Sequence, residues 1–367
     1  MKNLIFRSLA GLVASVLLVT GVALLGNMPN GKRTDGVFYE ASGIHPDATL
    51  MTVNKQPVSA EEYLYWLAYD CDYLTSYVGS VDFDSAISGS MTYSQYAMAD
   101  AQRTVTLYAV VRAWAEKAGI TLSENSQAQL TAQRQQYVTT YGGEEGYAKQ
   151  LQLMGLTDEA FQNINQVYFL YSELYKAYCS QDGALRPADE EINAFAQEGG
   201  YRTILPLYWT VTGDKAADAA SMEKAKAAAE RLRSAGDKDA EYQAIATEMA
   251  LETSAAGETH SSEELGSEIT AALDGLKAGE VSDVVVTDGR YYVFVSKDLS
   301  TDAVLDKMFN DKLDTMRESA GVRYNCRSYD KLNVGTFYTK LQTLRSQLSA
   351  ANTDTGASAD TDTTPQS

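Results

Sequence analysis

The chain has 367 residues, of which 45% are hydrophobic, and a formal net charge of -19 at pH 7. This length and apolar content are sufficient for two ordinary domains whose cores need no metal site or disulfide scaffold. The acidic balance argues against nucleic acids and anionic lipid surfaces as partners, because both require a cationic footprint on the protein.

The first residues predict export. Lys2 and Arg7 precede an uncharged run from Leu9 to Gly26, about the length that crosses a bilayer. The run is long for the apolar region of a cleaved signal peptide, and only Gly21-Val22-Ala23 resembles a cleavage site. We therefore expect residues 1–26 to be a signal anchor that holds the body at the extracytoplasmic face of the membrane. Secretion after signal cleavage is the alternative.

A helical region begins after a short strand predicted at Leu50 to Asn54. Ser59 and Glu62 have the spacing of a capping box, which predicts the start of a long helix. Its aliphatic stripe consists of Leu64, Leu67, Cys71, Leu74 and Val78, and the stripe beside it consists of Tyr65, Tyr69, Tyr73 and Tyr77. We expect the aliphatic stripe in the core. The tyrosine stripe is either the wet edge of that core or a surface that binds apolar peptide.

The helical pattern continues through the first half of the chain. Tyr93 to Lys117 is predicted as a helix that ends at Gly119, and Ser123 caps the next one. A third long helix is expected from Thr157 to about Cys179. The first lobe is therefore predicted to be mostly helical.

The pattern changes at Ile204 to Thr212, which is typical of a strand, although Pro206 restricts this strand to an edge or to its first residues. Asp288-Gly289 lies between two apolar runs and predicts a hairpin. Helices are predicted between these strands at about 221–234, 239–251 and 264–276. Together these elements predict a compact α+β module.

An amphipathic helix from Thr301 to about Ala320 is expected to pack back on the first lobe. The Ser/Thr/Asp-rich residues from about Ala350 are expected to form a disordered tail. The predicted organisation is a signal anchor or signal peptide at 1–26, a linker at 27–48, a helical lobe at 49–198, an α+β domain at 199–298, C-terminal helices at 299–349 and a tail at 350–367.

Several segments resemble extracytoplasmic foldases of the SurA/PrsA type. Thr52 to Tyr63 resembles the strand and helix that open the N-terminal lobe of this family, and Gly155 to Phe161 and Pro187 to Ile192 resemble its recurring segments. Leu273 to Val285, followed by Asp288-Gly289, resembles the last third of a parvulin (PpiC) domain. The resemblances cover about residues 50 to 332 in the order of the family.

The resemblance implies an α+β fold in which a helical, SurA-like lobe is built from both chain ends and a parvulin-like domain is inserted between them. It implies that unfolded or newly exported polypeptides are the ligands. It further implies a desolvated groove that lowers the barrier to prolyl cis-trans isomerisation, with two histidines and an Asp or Cys in its floor.

This sequence departs from the family at that groove. The first histidine position falls at about Leu207, the second falls at Tyr291 or Tyr292, and Glu252 takes the place of the Asp or Cys. The resemblance therefore implies an isomerase site that is degenerate at all of these positions.

No shift of the alignment restores the histidine pair, because the only histidines are His45 and His260. The segment between Gly266 and Gly279, which is expected to supply bulky apolar side chains to the groove, is shorter than is usual in the family.

Three functions follow as hypotheses. The first is a membrane-tethered chaperone that binds unfolded polypeptides on apolar and tyrosine-lined surfaces, with weak or no isomerase activity. The second is an active peptidyl-prolyl isomerase, and the third is an envelope adaptor or scaffold. The peptide-binding candidates are Tyr65, Tyr69, Tyr73, Tyr77 and Trp209.

The remaining chemistry is sparse. No cofactor is expected, because the sequence has no phosphate-binding glycine loop. No metal is expected either, because the histidines and the three cysteines, Cys71, Cys179 and Cys326, are scattered. One disulfide is possible, but a buried thiol is the expected state of Cys71.

Overall fold

The computed structural model describes residues 28–251 and 256–357. These residues form two compact units: the first contains the chain up to Lys176 and from Lys312 onwards, and the second is Ala177–Asp311. The predicted lobe built from both chain ends, with an α+β domain inserted between them, is therefore confirmed. The second unit extends beyond the predicted domain of 199–298 at both ends.

The first unit is mainly helical. Its elements up to the inserted unit are α1 (Val37–Ser42), β1 (Thr49–Val53), β2 (Gln56–Ser59), α2 (Ala60–Val78), β3 (Ala86–Ser88), β4 (Met91–Thr92), α3 (Tyr93–Ala118), α4 (Glu124–Thr140), α5 (Glu144–Met154) and α6 (Asp158–Cys179). The inserted unit contains α7 (Asp189–Glu198), β5 (Arg202–Thr210), α8 (Lys215–Ser234), α9 (Lys238–Glu248), β6 (Glu258–His260), α10 (Ser262–Leu273), β7 (Val285–Thr287) and β8 (Arg290–Lys297). The chain then returns through α11 (Thr301–Glu318), β9 (Val322–Tyr324), α12 (Cys326–Tyr329) and α13 (Val334–Ala357).

A small sheet joins the N-terminal and the C-terminal segments of the first unit. Its strand order is β2-β1-β9, and Thr52 of β1 lies opposite Arg323 of β9 in an antiparallel pair. The backbone N–H of Asn325 donates to the Leu50 carbonyl at 2.9 Å, and its side-chain Nδ2 donates to the Thr49 carbonyl at 3.0 Å. The returning chain is therefore an integral part of the first unit.

Helix α2 begins where the sequence predicts, and its polar contacts are only half of the expected capping box. The Ser59 side chain accepts a hydrogen bond from the Glu62 backbone N–H at 3.1 Å. The Glu62 carboxylate accepts from Arg112 of α3 at 3.0 Å. Glu62 therefore contributes both to the N-terminus of α2 and to the contact between α2 and α3.

The aliphatic stripe of α2 is buried through Leu64, Leu67, Cys71 and Leu74. Burial also raises the pKa of the Cys71 thiol, as expected for an inert core cysteine. The prediction that Val78 belongs to this core is wrong, because its side chain is 49% exposed. Val78 is the last residue of α2, and the chain leaves the helix at Gly79 with a positive φ of 88°.

Helix α13 is held on the first unit by Arg345. Its Nε donates to the Leu153 carbonyl at 2.8 Å, and its Nη1 binds the Asp72 carboxylate at 2.8 Å. The Tyr338 hydroxyl donates to the same carboxylate at 2.9 Å. The helix continues to Ala357, past the predicted start of the tail at residue 350, and residues 358–367 lie outside the described part.

The sheet of the second unit has the strand order β6-β5-β8-β7. β5 is therefore an internal strand, which the prediction for Pro206 did not allow. The sheet tolerates the proline because β6 pairs with β5 only from Arg202 to Ile204. Pro206 lies beyond this pairing, where a missing N–H interrupts no ladder to β6, and its carbonyl accepts from the Tyr242 hydroxyl at 3.1 Å.

The predicted hairpin is present between β7 and β8. Asp288 and Gly289 both have positive φ, 47° and 68°, as a two-residue turn of this kind requires. The apolar run before the turn is a strand only from Val285, and Val281 forms one isolated bridge to Val295.

Within 28–251 and 256–357, no helix is both long enough and apolar enough to cross a bilayer. The residues of the predicted anchor, 1–26, lie outside this described part.

Candidate functional site

The sheet of the second unit separates two apolar clusters. In the antiparallel pair of β5 and β8, Leu207 lies opposite Val293 and Tyr208 lies opposite Tyr292. Because successive side chains of a strand point to opposite faces, Leu207 and Tyr208 lie on different faces of the sheet. One face packs on α8 and α9, and the other packs on α10.

The face towards α8 and α9 contains three of the predicted site residues. Leu207 is fully buried, and Tyr291 is 9% exposed. Trp209 lies opposite Tyr291 and is partly buried against the same cluster. The structure therefore brings these three side chains together as members of a hydrophobic core. An aliphatic Leu207 can neither accept nor donate a proton there.

Tyr292 lies on the opposite face, in a row of aromatic rings. Its ring is stacked on Phe294 at a centroid distance of 5.5 Å and lies 6.1 Å from the ring of Tyr208. Arg290 donates from Nη1 to the Tyr292 hydroxyl at 3.3 Å, and its guanidinium lies 4.5 Å from the centre of the Tyr208 ring. Sequence reasoning missed Tyr208 and Arg290, although the alternation along two paired strands places both beside Tyr292.

The acidic candidate, Glu252, lies outside the described residues. The histidines are in different units: His45 contacts the Arg33 carbonyl through Nδ1 at 2.8 Å in the first unit, and His260 lies on β6 in the second. The Nε2 of His260 is 3.2 Å from a carboxylate oxygen of Glu258. In the described chain, no group of three or more His, Cys, Asp or Glu is arranged to hold a metal ion.

Residues 189–306 match the family model of the PPIC-type PPIASE domain. The match confirms the parvulin-type resemblance for the inserted unit. No curated protein matches the chain.

Solved structures with some likeness include two proteins named PrsA. The foldase protein PrsA from Streptococcus pneumoniae is 16% identical, with a TM-score of 0.20 over 71% of this chain and 92% of that one. The peptidylprolyl isomerase PrsA from Bacillus anthracis is 16% identical, with a TM-score of 0.23 over 68% and 95%. A structure of the SurA-like chaperones PEB4 and Cj1289 of Campylobacter jejuni is 11% identical, with a TM-score of 0.19 over 75% and 98%. Likeness at this level assigns no role to any residue.

Outside the PPIC-type segment, α2 presents a row of exposed aromatic side chains. Tyr69, Tyr73 and Tyr77 are 42%, 39% and 70% exposed, and we call these three residues the tyrosine ladder. Their spacing of four residues puts them on successive turns of one helix face. The rings of Tyr73 and Tyr77 are nearly parallel, with an interplanar angle of 15° and a centroid distance of 6.4 Å.

Trp66 supports the N-terminal end of the ladder. Its ring makes edge contacts with Tyr65 at 5.2 Å, Tyr69 at 5.6 Å and Tyr108 of α3 at 5.3 Å. Tyr65 itself is half-buried, and desolvation raises the pKa of its hydroxyl to about 12. The predicted stripe therefore divides into one residue at the core edge, Tyr65, and three exposed residues, and both interpretations of the stripe apply to part of it.

Sequence reasoning did not include Trp66 in this surface. It lies on the tyrosine face of the helix, but the four-residue spacing of the tyrosines does not select it. Trp66 lies three residues before Tyr69, and this helical spacing could have placed it beside the tyrosines. An exposed aromatic face that is fixed by a packed tryptophan can bind apolar or cationic groups without rearranging.

Proposed function

We propose that this protein is an extracytoplasmic, membrane-tethered chaperone that binds unfolded exported polypeptides. In this proposal the first unit carries the binding surface, and the PPIC-type segment has weak or no isomerase activity. The tether is the uncharged run from Leu9 to Gly26.

The observation that carries the proposal is the exposure of the tyrosine ladder. Soluble proteins seldom expose several large aromatic side chains in a row, and such patches are typical of binding surfaces. Tyrosine suits a chaperone, because its ring offers a large contact area with little side-chain entropy to lose and its hydroxyl remains hydrated. Exposed rings with hydrated hydroxyls suit binding of unfolded chains.

The side chains at the expected catalytic positions of the inserted unit support weak or no isomerase activity. The position expected for the first histidine, Leu207, is a core leucine, and the two positions considered for the second lie on opposite faces of the sheet. No arrangement of Leu207 with Tyr291 or Tyr292 reproduces a pair of histidines. On the other face, the partly exposed Tyr208 and Tyr292 offer shape and desolvation, and their neighbour Phe294 is buried.

An active peptidyl-prolyl isomerase is the second candidate, and the family match over 189–306 favours it. Prolyl isomerisation needs no covalent step, and a surface that desolvates the peptide bond lowers its rotation barrier. The candidate surface is formed by Tyr208 and Tyr292, because Phe294 is only 1% exposed.

A paired assay on the full-length chain separates the candidates. The chaperone proposal expects suppression of aggregation of an unfolded client and no acceleration of cis-trans relaxation in a proline peptide. A clear acceleration that Tyr292→Ala abolishes would establish the isomerase instead. If the chain is inactive in both assays, the envelope adaptor becomes the better hypothesis.

Membrane attachment is tested separately. The full chain is expected in the membrane fraction with its body accessible to protease from outside the cell. Deletion of residues 9–26 is expected to abolish both properties, and a protected body would contradict the proposed orientation.

A further inference from the structure

The region around the tyrosine ladder has an unusual charge distribution. Every charged residue from Gln56 to Gln102 is acidic. Four of these carboxylates are paired with arginines of the first unit, namely Glu61 with Arg33, Glu62 with Arg112, Asp72 with Arg345 and Asp100 with Arg103. Arg33, Arg112 and Arg345 are therefore already paired with carboxylates of α2.

Two carboxylates that follow α2 along the chain have no cationic partner within the described residues. Asp82 and Asp84 follow the end of α2, both are exposed, and neither takes part in an ion pair with any residue of the described chain. The last turn of α2 contains no basic residue, so the negative end of its helix dipole is uncompensated there. Tyr77, the most exposed member of the ladder, lies in that turn. The ladder thus ends in a region of negative potential.

The protein uses tyrosine rings to hold cations elsewhere. The guanidinium of Arg134 lies 5.0 Å from the centre of the Tyr147 ring, and that of Arg290 lies 4.5 Å from the centre of the Tyr208 ring. Within the described residues, no lysine or arginine lies over the rings of the tyrosine ladder, so those faces are open to a cation from another chain.

We propose that the tyrosine ladder binds the basic segments of client polypeptides. Arginine or lysine side chains stack on the exposed faces of Tyr69, Tyr73 and Tyr77, and Asp82 and Asp84 attract the same segment electrostatically. This inference rests on the proposed chaperone function and adds a selectivity to it: among unfolded chains of equal apolar content, the protein selects the cationic ones.

The ring type distinguishes this binding from ordinary apolar contact. Leucine offers comparable apolar area but has no quadrupole to attract a cation, whereas phenylalanine keeps the ring and loses only the hydroxyl. An apolar surface therefore tolerates leucine at the ladder, and a cation-binding surface does not.

The experiment measures binding of two fluorescent peptides of equal length and apolar content by the full chain. One peptide carries four arginines, and the other carries citrulline at the same positions. The arginine peptide is expected to bind at least about fivefold more tightly at low salt, and the difference is expected to shrink as salt is added.

The variants are Tyr69→Leu, Tyr73→Leu and Tyr77→Leu combined, the same three positions changed to Phe, and Asp82→Asn with Asp84→Asn. We expect the leucine variant to lose about fivefold in affinity for the arginine peptide only, the phenylalanine variant to retain it, and the asparagine variant to lose about threefold. Tyr141→Leu is the matched control, because Tyr141 is 40% exposed on the same unit and lies outside the ladder. Circular dichroism and thermal unfolding verify that each variant is folded.

Each outcome decides between the two proposals. Equal affinity for both peptides overturns the cationic selectivity and leaves the chaperone function standing. Tight binding of the arginine peptide that the leucine variant preserves overturns the role of the ladder. No binding of either peptide, together with no suppression of aggregation, overturns both.

Discussion

The sheet of the second unit and the helix α2 of the first unit use aromatic residues in opposite ways. In the sheet, the positions that resemblance to a known family singles out are filled by side chains that support a core, such as Leu207 and Tyr291. On α2, which carries no catalytic signature, Tyr69, Tyr73 and Tyr77 stand exposed. The segment that identifies a family and the surface that presents a binding chemistry are therefore different parts of this chain.

The largest expected effect tests the core role of Leu207. We expect Leu207→Ala to lower the free energy of unfolding by about 3 kcal/mol, because it removes a fully buried side chain and leaves a cavity. Urea unfolding followed by the fluorescence of Trp209, which packs on the same cluster, measures this change.

Val286→Ala is the control for that variant, because Val286 lies on β7 and is 54% exposed. Its expected cost is below about 0.5 kcal/mol. A similar cost for both variants would show that Leu207 does not support the core in the way described.

The second prediction concerns the exposed side of the comparison. Changing Tyr69, Tyr73 and Tyr77 together to Ser is expected to weaken suppression of client aggregation about tenfold, because the apolar area and the ring faces are both lost. The midpoint of unfolding should change little, since none of these rings is buried. Tyr141→Ser is the control, and an equal loss of activity in that variant would contradict a specific role of the ladder.

The third prediction compares the two units in base. Burial raises the pKa of Tyr63, Tyr65 and Tyr324 in the first unit above the ordinary tyrosine value. A raised pKa in the folded state gives a stability that is fully present below the unfolded pKa of 10.0 and is lost as the pH rises towards the folded value. About one pH unit above the unfolded value, Tyr65 alone accounts for a loss of about 1 kcal/mol.

The second unit has fewer buried tyrosines with a raised pKa. As the pH is raised above 10, the first unit is therefore expected to lose stability before the second. A variant that keeps only Trp209 reports on the second unit, and one with Trp209→Phe reports on the first. Tyr65→Phe should reduce the loss of stability in base for the first unit. If both units unfold at the same alkaline pH and Tyr65→Phe has no effect, buried tyrosines do not set the stability of the first unit in base.

The smallest expected effect is at Tyr292. Tyr292→Phe removes one hydroxyl whose partner, Arg290, is exposed, so the cost in stability is expected to be below about 0.5 kcal/mol. The relaxation rate of a proline peptide should equal that of the unchanged protein. Tyr291→Phe provides the comparison on the other face of the sheet, and a slower rate in the Tyr292 variant alone would support the isomerase.

Much of the fold followed from local patterns. The start of α2 at Ser59, the end of α3 at Gly119 and the turn at Asp288-Gly289 each depend on a few neighbouring residues, and each is present. Pro206 was harder, because its position in an internal strand depends on how far the distant β6 continues along β5. Val78 was placed in the core by periodicity, but it is the last residue of α2 and its side chain is 49% exposed.

For the candidate sites, the residue types themselves are visible in the amino-acid sequence. It established that a histidine pair is absent from the inserted unit and that α2 carries a stripe of tyrosines at helical spacing. The fold places Leu207 and Tyr292 on opposite faces of one sheet, because strand register depends on β8, about eighty residues along the chain from β5. It also decided that Tyr65 is half-buried beside Trp66 while the tyrosine ladder is exposed, since burial depends on which neighbouring helices cover each turn of α2.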